Sequence, residues 1–203
     1  MNLPLTLARE ELKNLLGESD EKIWRSAFYK VSPLLHPRGG YEIFSLEKIE
    51  KIGKRTWSHL AGCDDLAVMA VTLGPEIDRE IATAFERGET KNAFLLDAIA
   101  SAAVEGAIDA LCVSIQQRHG PLAFRFSPGY GDWSVEDNAV FREVLDLPSL
   151  GITLLPSGGM LPRKSVTALA GLSKSGESVF PGCQHCSVGE CRFPCRFRSK
   201  KNE

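Results

Sequence analysis

The sequence predicts a single α+β domain, and three observations carry that reading. Leu66–Leu73 (LAVMAVTL) is a continuous apolar run rich in valine, the pattern of a strand buried on both faces. Residues 90–119 form a long helical stretch that is apolar almost all round, so it belongs in a core. The elements also mix without the regular strand–helix–strand alternation that a doubly wound parallel sheet requires.

Taken in order, Leu5, Ala8, Leu12 and Leu15 recur at helical spacing up to Gly17, which predicts an amphipathic helix over 5–17. Asp20–Lys30 reads as a second short helix, and Pro33–Gly40, with two prolines and two glycines, as a loop. Ser45 is placed to cap a helix running to about Leu60. After the 66–73 strand, Gly74-Pro75 opens a helix carrying Ile77, Ile81, Ala84 and Phe85, which Gly88 ends. Leu122–Phe126 reads as a strand, Ser127–Gly131 as a turn, and Ser134 as the cap of a helix to Leu145. Ile152–Leu155 and Lys164–Leu172 read as strands flanking the loop PSGGMLPR.

Charge and hydropathy exclude whole classes of function. Lysine plus arginine total 24 against 26 acidic residues, a formal charge of −2, so nothing drives the chain as a whole toward nucleic acid or anionic membrane. The apolar stretch Phe94–Ile115 is broken by Asp97, Glu105 and Asp109 and makes a poor membrane span. No basic region followed by an apolar one marks the N-terminus as a secretory signal, and a cytoplasmic location is expected.

Four places can hold chemistry. On the long helix, Asp97, Ser101, Glu105 and Asp109 recur every four residues and form one drifting polar stripe. It reads either as a face looking at water or as a carboxylate, Glu105, with room made by Ala102, Ala103 and Gly106 for a ligand ammonium. In RFSPGY, Arg125 ends a strand and can grip a carboxylate through two N–H groups, or merely form a surface ion pair. The Pro128-Gly129-Tyr130 turn exposes backbone groups able to read an adenine edge or a ribose. GITLLPSGGMLPRKS allows close backbone approach at its glycines, although a tight β-connection explains it as well, and it is not a phosphate loop.

The fourth is Cys183-x2-Cys186-x4-Cys191-x3-Cys195, four thiolates that can close around a tetrahedral zinc or an iron–sulfur cluster. His185 between them reads as an exposed loop residue, since four thiolates suffice. Around them Arg192, Arg196, Arg198, Lys200 and Lys201 make a basic tail that is either solvated or a docking surface for an acidic partner. His36, His59 and His119 pair with no carboxylate or cysteine in sequence and are given no catalytic role.

Together, Glu105 in LLDAIASAAVEGAIDAL, RFSPGY at Arg125–Tyr130, and GITLLPSGGMLPRKSVTALAGLS at 151–173 resemble the activation domain of cobalamin-dependent methionine synthase. The resemblance spans roughly residues 66–173. It implies a mostly antiparallel sheet packed by helices, with S-adenosylmethionine in a shallow groove. Arg125 would hold the methionine carboxylate, Glu105 the α-amino group and Pro128, Gly129 and Tyr130 the adenosine side, with Ser157 from the second motif also at the ligand.

It further implies reductive reactivation, in which S-adenosylmethionine donates its methyl group to reduced cobalamin on a partner, with flavodoxin or ferredoxin supplying the electron. The protein's share is orientation and exclusion of water, so no general acid or base is nominated. No DxHxxG cobalamin motif occurs, and the chain reads as a stand-alone activation subunit. The expected organisation is an N-terminal helical segment over 1–40, the activation-type domain over 41–173, and a metal-binding tail over 174–203, where the cysteines stand in for the family's last sheet residues. Activation of another corrinoid methyltransferase and a zinc-stapled, non-catalytic adaptor are the competing readings.

Overall fold

The computed structural model describes residues 1–17, 21–45, 60, 63–123, 125–129 and 133–172. In chain order they form α1 (Arg9–Leu16), α2 (Glu21–Val31), β1 (Arg38–Ser45), β2 (Asp65–Thr72), α3 (Glu76–Glu86), α4 (Thr90–His119), α5 (Ala139–Val144), β3 (Thr153–Leu154), β4 (Met160–Leu161) and β5 (Ser165–Leu172). β1, β2 and β5 make a three-stranded antiparallel sheet in that order, with Met69 opposite Tyr41 on one side and Ala168 on the other. β3 and β4 pair as a separate short ribbon.

Alternation along β2 explains why its sequence is apolar throughout. Ala67, Met69 and Val71 face a core made with α1, α2, α3 and α4, whereas Leu66, Val68 and Ala70 face a second core with Trp133, Phe141, Leu145, Leu147 and Ile152. The sheet is thus covered on both sides: by the helical layer on one, by residues 133–152 on the other.

α4 is long and apolar enough to cross a membrane by composition, yet here it is the central core helix. Ile99, Ala100, Ala102, Ala103, Ala107, Ile108 and Leu111 are fully buried. Its small residues let neighbours approach closely. At Gly106 a Cβ would stand 2.4 Å from the backbone oxygen of Thr6, and Ala8 N–H donates to the Ala102 carbonyl at 2.9 Å. The N-terminal segment is therefore laid directly on α4.

That contact also explains where the first helix departs from its expected span. Residues 5–8 are not helical: Ala8 is extended (φ −72°, ψ 91°) with its N–H committed to α4, and α1 starts at Arg9. The expected loop over 33–40 gives way at Arg38 to β1. Gly39 lies inside that strand, where an added Cβ would meet Leu3 Cδ1 at 2.8 Å and the Ala70 carbonyl oxygen at 3.1 Å, so its glycine serves close packing and not a turn. Ser45 closes β1 opposite Asp65. The helix expected to follow it over 46–59 lies outside the described residues.

α2, β2, α3, α4 and β5 fall where the sequence puts them. Among the described residues of 122–126, Leu122 and Phe126 lie against the edge of β5 through isolated bridges, Leu122 to Leu172 and Phe126 to Leu169. Ser134 does cap, its Oγ accepting from Glu136 N–H at 3.3 Å. The helix it starts is split, a 3-10 turn over Val135–Asn138 running into α5.

Candidate functional site

The polar stripe of α4 does not simply face water. Arg125, brought alongside by the bridges that tie 122–126 to β5, forks across it: Nη2 lies 2.5 Å from Glu105 Oε2 and Nη1 2.5 Å from Asp109 Oδ1. One helical turn separates the two carboxylates, which is the spacing a single guanidinium needs to bridge both. Two turns earlier Lys164, whose side chain is 10% exposed, donates to Asp97 Oδ1 at 2.8 Å and Ser101 Oγ at 2.9 Å. Every member of the stripe thus has a cationic or donor partner from a segment packed on α4.

Burial sharpens these charges. Desolvation pulls the Arg125 pKa down, but Glu105 and Asp109 outweigh it and carry the guanidinium above its ordinary value, so it stays charged. Burial pushes the neighbouring Cys112 thiol up, against the pull of Arg125, and keeps it neutral. Cys112 spends its S–H on Met69 Sδ at 3.6 Å, inside the core.

Beside the ion pair lies a cleft of about 230 Å³. Glu105 of α4, Ser127-Pro128 of the RFSPGY segment, Gly158–Met160 of the PSGGM loop, and Ser165–Thr167 of β5 line it, together with Val135 and Asn138. The three sequence motifs therefore converge on one cavity. Its wall is mixed, with a carboxylate, hydroxyls, an amide and valine and methionine methyls, which suits a ligand that is charged in one part and apolar in another.

Buried hydrogen bonds fix the loops around this cleft. Asn138, 3% exposed, donates through Nδ2 to the Gly158 carbonyl at 2.8 Å and accepts from Thr167 Oγ1, so one amide ties the 156–159 turn to β5. Gly158 has φ +80°, and a Cβ there would lie 2.2 Å from the Val135 carbonyl oxygen; no other residue fits. Gly129 sits at φ +93° with its N–H on the Trp133 carbonyl at 2.8 Å, closing the turn after Pro128.

Of the residues singled out in sequence, Glu105, Arg125 and Pro128 come together here, with Gly129 at the adjoining turn. Ser157 is exposed in its turn, and the residues of that loop lining the cleft are Gly158, Gly159 and Met160. The free space expected beside Glu105 at Gly106 is taken by Thr6; the ligand-sized space opens instead toward Ser127, Pro128 and Gly158. Tyr130 and Cys183, Cys186, Cys191 and Cys195 lie outside the described residues. Among the described residues, no group of three or more histidine, cysteine or acidic side chains could hold a metal.

Sequence reasoning missed Asn138, Thr167 and Lys164, and it listed Asp109 only as part of a stripe. The four-residue spacing from Glu105 was a usable signal for Asp109; a lone asparagine in VEDN offers none.

No family model matches the chain, and no curated protein matches it. Among solved structures it is similar to one described as the crystal structure of the MetH reactivation domain bound to AdoHcy, with 16% identity and a TM-score of 0.61. The match covers 85% of this chain and 68% of that one. The chain therefore has an activation-domain-like fold, a three-stranded antiparallel sheet packed by helices, with the Arg125–Glu105 pair set beside its cleft.

Proposed function

We propose that this protein binds S-adenosylmethionine in the 127–167 cleft and acts as the reactivation module of a cobalamin-dependent methionine synthase carried by a partner. The observation that carries the reading is the Arg125–Glu105 ion pair at the wall of a cleft where three separate motifs meet. The solved neighbour of like fold holds AdoHcy, the demethylated form of the same ligand.

A paired cation and anion are the complement of an amino-acid zwitterion. The ligand carboxylate takes over the Nη2 side of Arg125, and the ligand ammonium takes Glu105, so one internal ion pair is exchanged for two intermolecular ones. Ser127 and Pro128 then flank the nucleoside, with Met160 and Val166 offering apolar contact. Gripping both ends of the amino-acid moiety fixes the direction of the sulfonium methyl, which is where the protein accelerates transfer: by orientation and by keeping water out. Cobalamin on the partner supplies the methyl-accepting metal chemistry. No residue of this chain is required to move a proton.

The cysteine tail, Cys183 to Cys195, belongs to the same proposal as a zinc or iron–sulfur site, supported by its spacing. Metal analysis of anaerobically purified wild type and Cys183→Ala/Cys186→Ala tests it: about one site's worth of zinc or of iron with sulfide is expected in the first and none in the second, and metal-free wild type contradicts it.

The role itself is tested by mixing the protein anaerobically with an oxidatively inactivated methionine synthase, a reductant and methyl-labelled S-adenosylmethionine. Recovery of turnover with label in the first methionine formed supports the assignment. Ligand binding with no recovery, against recovery of some other corrinoid methyltransferase, would reassign the partner while leaving the site intact.

A further inference from the structure

Asn138 and Thr167 both line the cleft, and both are buried, 3% and 1% exposed. The direction of their hydrogen bonds is fixed by chemistry. The Gly158 carbonyl can only accept, so the Asn138 amide must turn its Nδ2 toward it. Oδ1 is then left for Thr167, which makes the threonine hydroxyl the donor. An amide nitrogen carries two N–H groups and a hydroxyl oxygen two lone pairs. One N–H of Asn138 goes to Gly158 and the single hydroxyl proton of Thr167 goes to Asn138. What the pair keeps to offer is the second N–H of Asn138 and the lone pairs of Thr167 Oγ1, a donor beside an acceptor.

Position decides what such a pair meets. Glu105 reaches the cleft from α4, on the helical side of the sheet. Asn138 lies between Trp133 and Phe141 in sequence, in the layer that covers the other side. A ligand held at Glu105 by its amino-acid end therefore passes β5, where Ser165, Val166 and Thr167 line the cleft, before it reaches Asn138. Its far end is what arrives there. Pro128, Gly159 and Met160 add apolar surface suited to a flat ring.

We infer, on the function proposed above, that Asn138 and Thr167 are specificity-determining residues that read the purine: Asn138 Nδ2 donates to a ring nitrogen and Thr167 Oγ1 accepts from the 6-amino group. Adenine presents an acceptor nitrogen next to an amino donor, whereas a 6-oxopurine puts an oxygen where the amino group was. That oxygen would face the lone pairs of Thr167, whose own proton is committed to Asn138. With its amino-acid end already gripped, the ligand has no room to slide into another register. The cleft thus selects a 6-aminopurine nucleoside.

Calorimetric titration of wild type, Asn138→Ala and Thr167→Val with S-adenosylhomocysteine and with S-inosylhomocysteine, its 6-oxopurine counterpart, tests this. Wild type is expected to bind the adenine ligand about tenfold or more tightly, the size of one mismatched buried polar contact. Each variant is expected to bring the ratio of the two affinities close to one. Thr167→Val keeps the shape of the side chain and decides by itself should Asn138→Ala not fold. A wild-type ratio near one, or a Thr167→Val that weakens both ligands equally and keeps the ratio, overturns the reading of the purine and leaves the pair a structural tie. A wild type that binds neither ligand overturns the underlying function as well.

Discussion

The backbone oxygen of Thr6 occupies the position next to Gly106 where any side chain would begin, 2.4 Å from an ideal Cβ. Two effects oppose each other if Gly106 becomes alanine. Helix propensity favours the change by about 1 kcal/mol. Overpacking against a backbone atom that the Ala8–Ala102 hydrogen bond holds in place costs about 1–3 kcal/mol or more. Net destabilisation is expected, read as a lowered Tm, together with faster proteolysis of residues 1–8; a raised Tm would show that the N-terminal segment is not seated on α4.

The Lys164–Asp97 bridge should behave asymmetrically. Lys164 is the more buried partner, its side chain 10% exposed against 37% for Asp97, so removing Asp97 strands an ammonium in the interior. Asp97→Ala is expected to cost about 2–3 kcal/mol, somewhat below the range for fully buried pairs, because Ser101 remains as an acceptor. Lys164→Met, which removes the charge and keeps the volume, is expected to cost clearly less in the same urea titration.

Asn138 is expected to couple stability to ligand binding. Asn138→Ala leaves Thr167 Oγ1 and the Gly158 carbonyl without their buried partner, a loss of about 1–3 kcal/mol, and frees the turn lining the cleft. Urea titration should register the first effect. Weaker S-adenosylmethionine binding should register the second, and Gly158→Ala should weaken binding further, since its Cβ would overlap the Val135 carbonyl.

Burial raises the Cys112 pKa in the folded state, while the nearby Arg125 opposes that rise. A group whose folded pKa is raised contributes stability that is complete below its unfolded value, about 8.5 for a thiol, and is lost as pH climbs through the folded value. Wild type is therefore expected to lose more stability between pH 8 and pH 10 than Cys112→Ala does, measured by denaturant unfolding at each pH.

How much of this was legible in the sequence follows from whether the signal was periodic. β2, α4 and β5 show their hydrophobic pattern within the segment itself, and their positions follow from it. β1 does not: Gly39 and Gly40 read as loop residues, and only the neighbours pressing on them, Leu3, Ala70 and Leu150, reveal a strand. For the site, Glu105 and Arg125 were visible as charges in unusual company, but their mutual contact depends on how residues 122–126 lie against β5. Asn138 and Lys164 act through partners at least 20 residues away, Gly158 and Thr167 for one and Ser101 for the other, and no local pattern encodes such a pairing.

The central claim is that the Arg125–Glu105 pair opens to receive an amino-acid zwitterion. The most direct measurement is calorimetric titration of wild type and Arg125→Ala with S-adenosylmethionine and with methylthioadenosine, which keeps the nucleoside and lacks the amino-acid end. Loss of Arg125 is expected to weaken S-adenosylmethionine at least tenfold, about 1.4 kcal/mol or more, and to leave methylthioadenosine nearly unchanged. S-adenosylmethionine bound equally well by both proteins, or by neither, would contradict it.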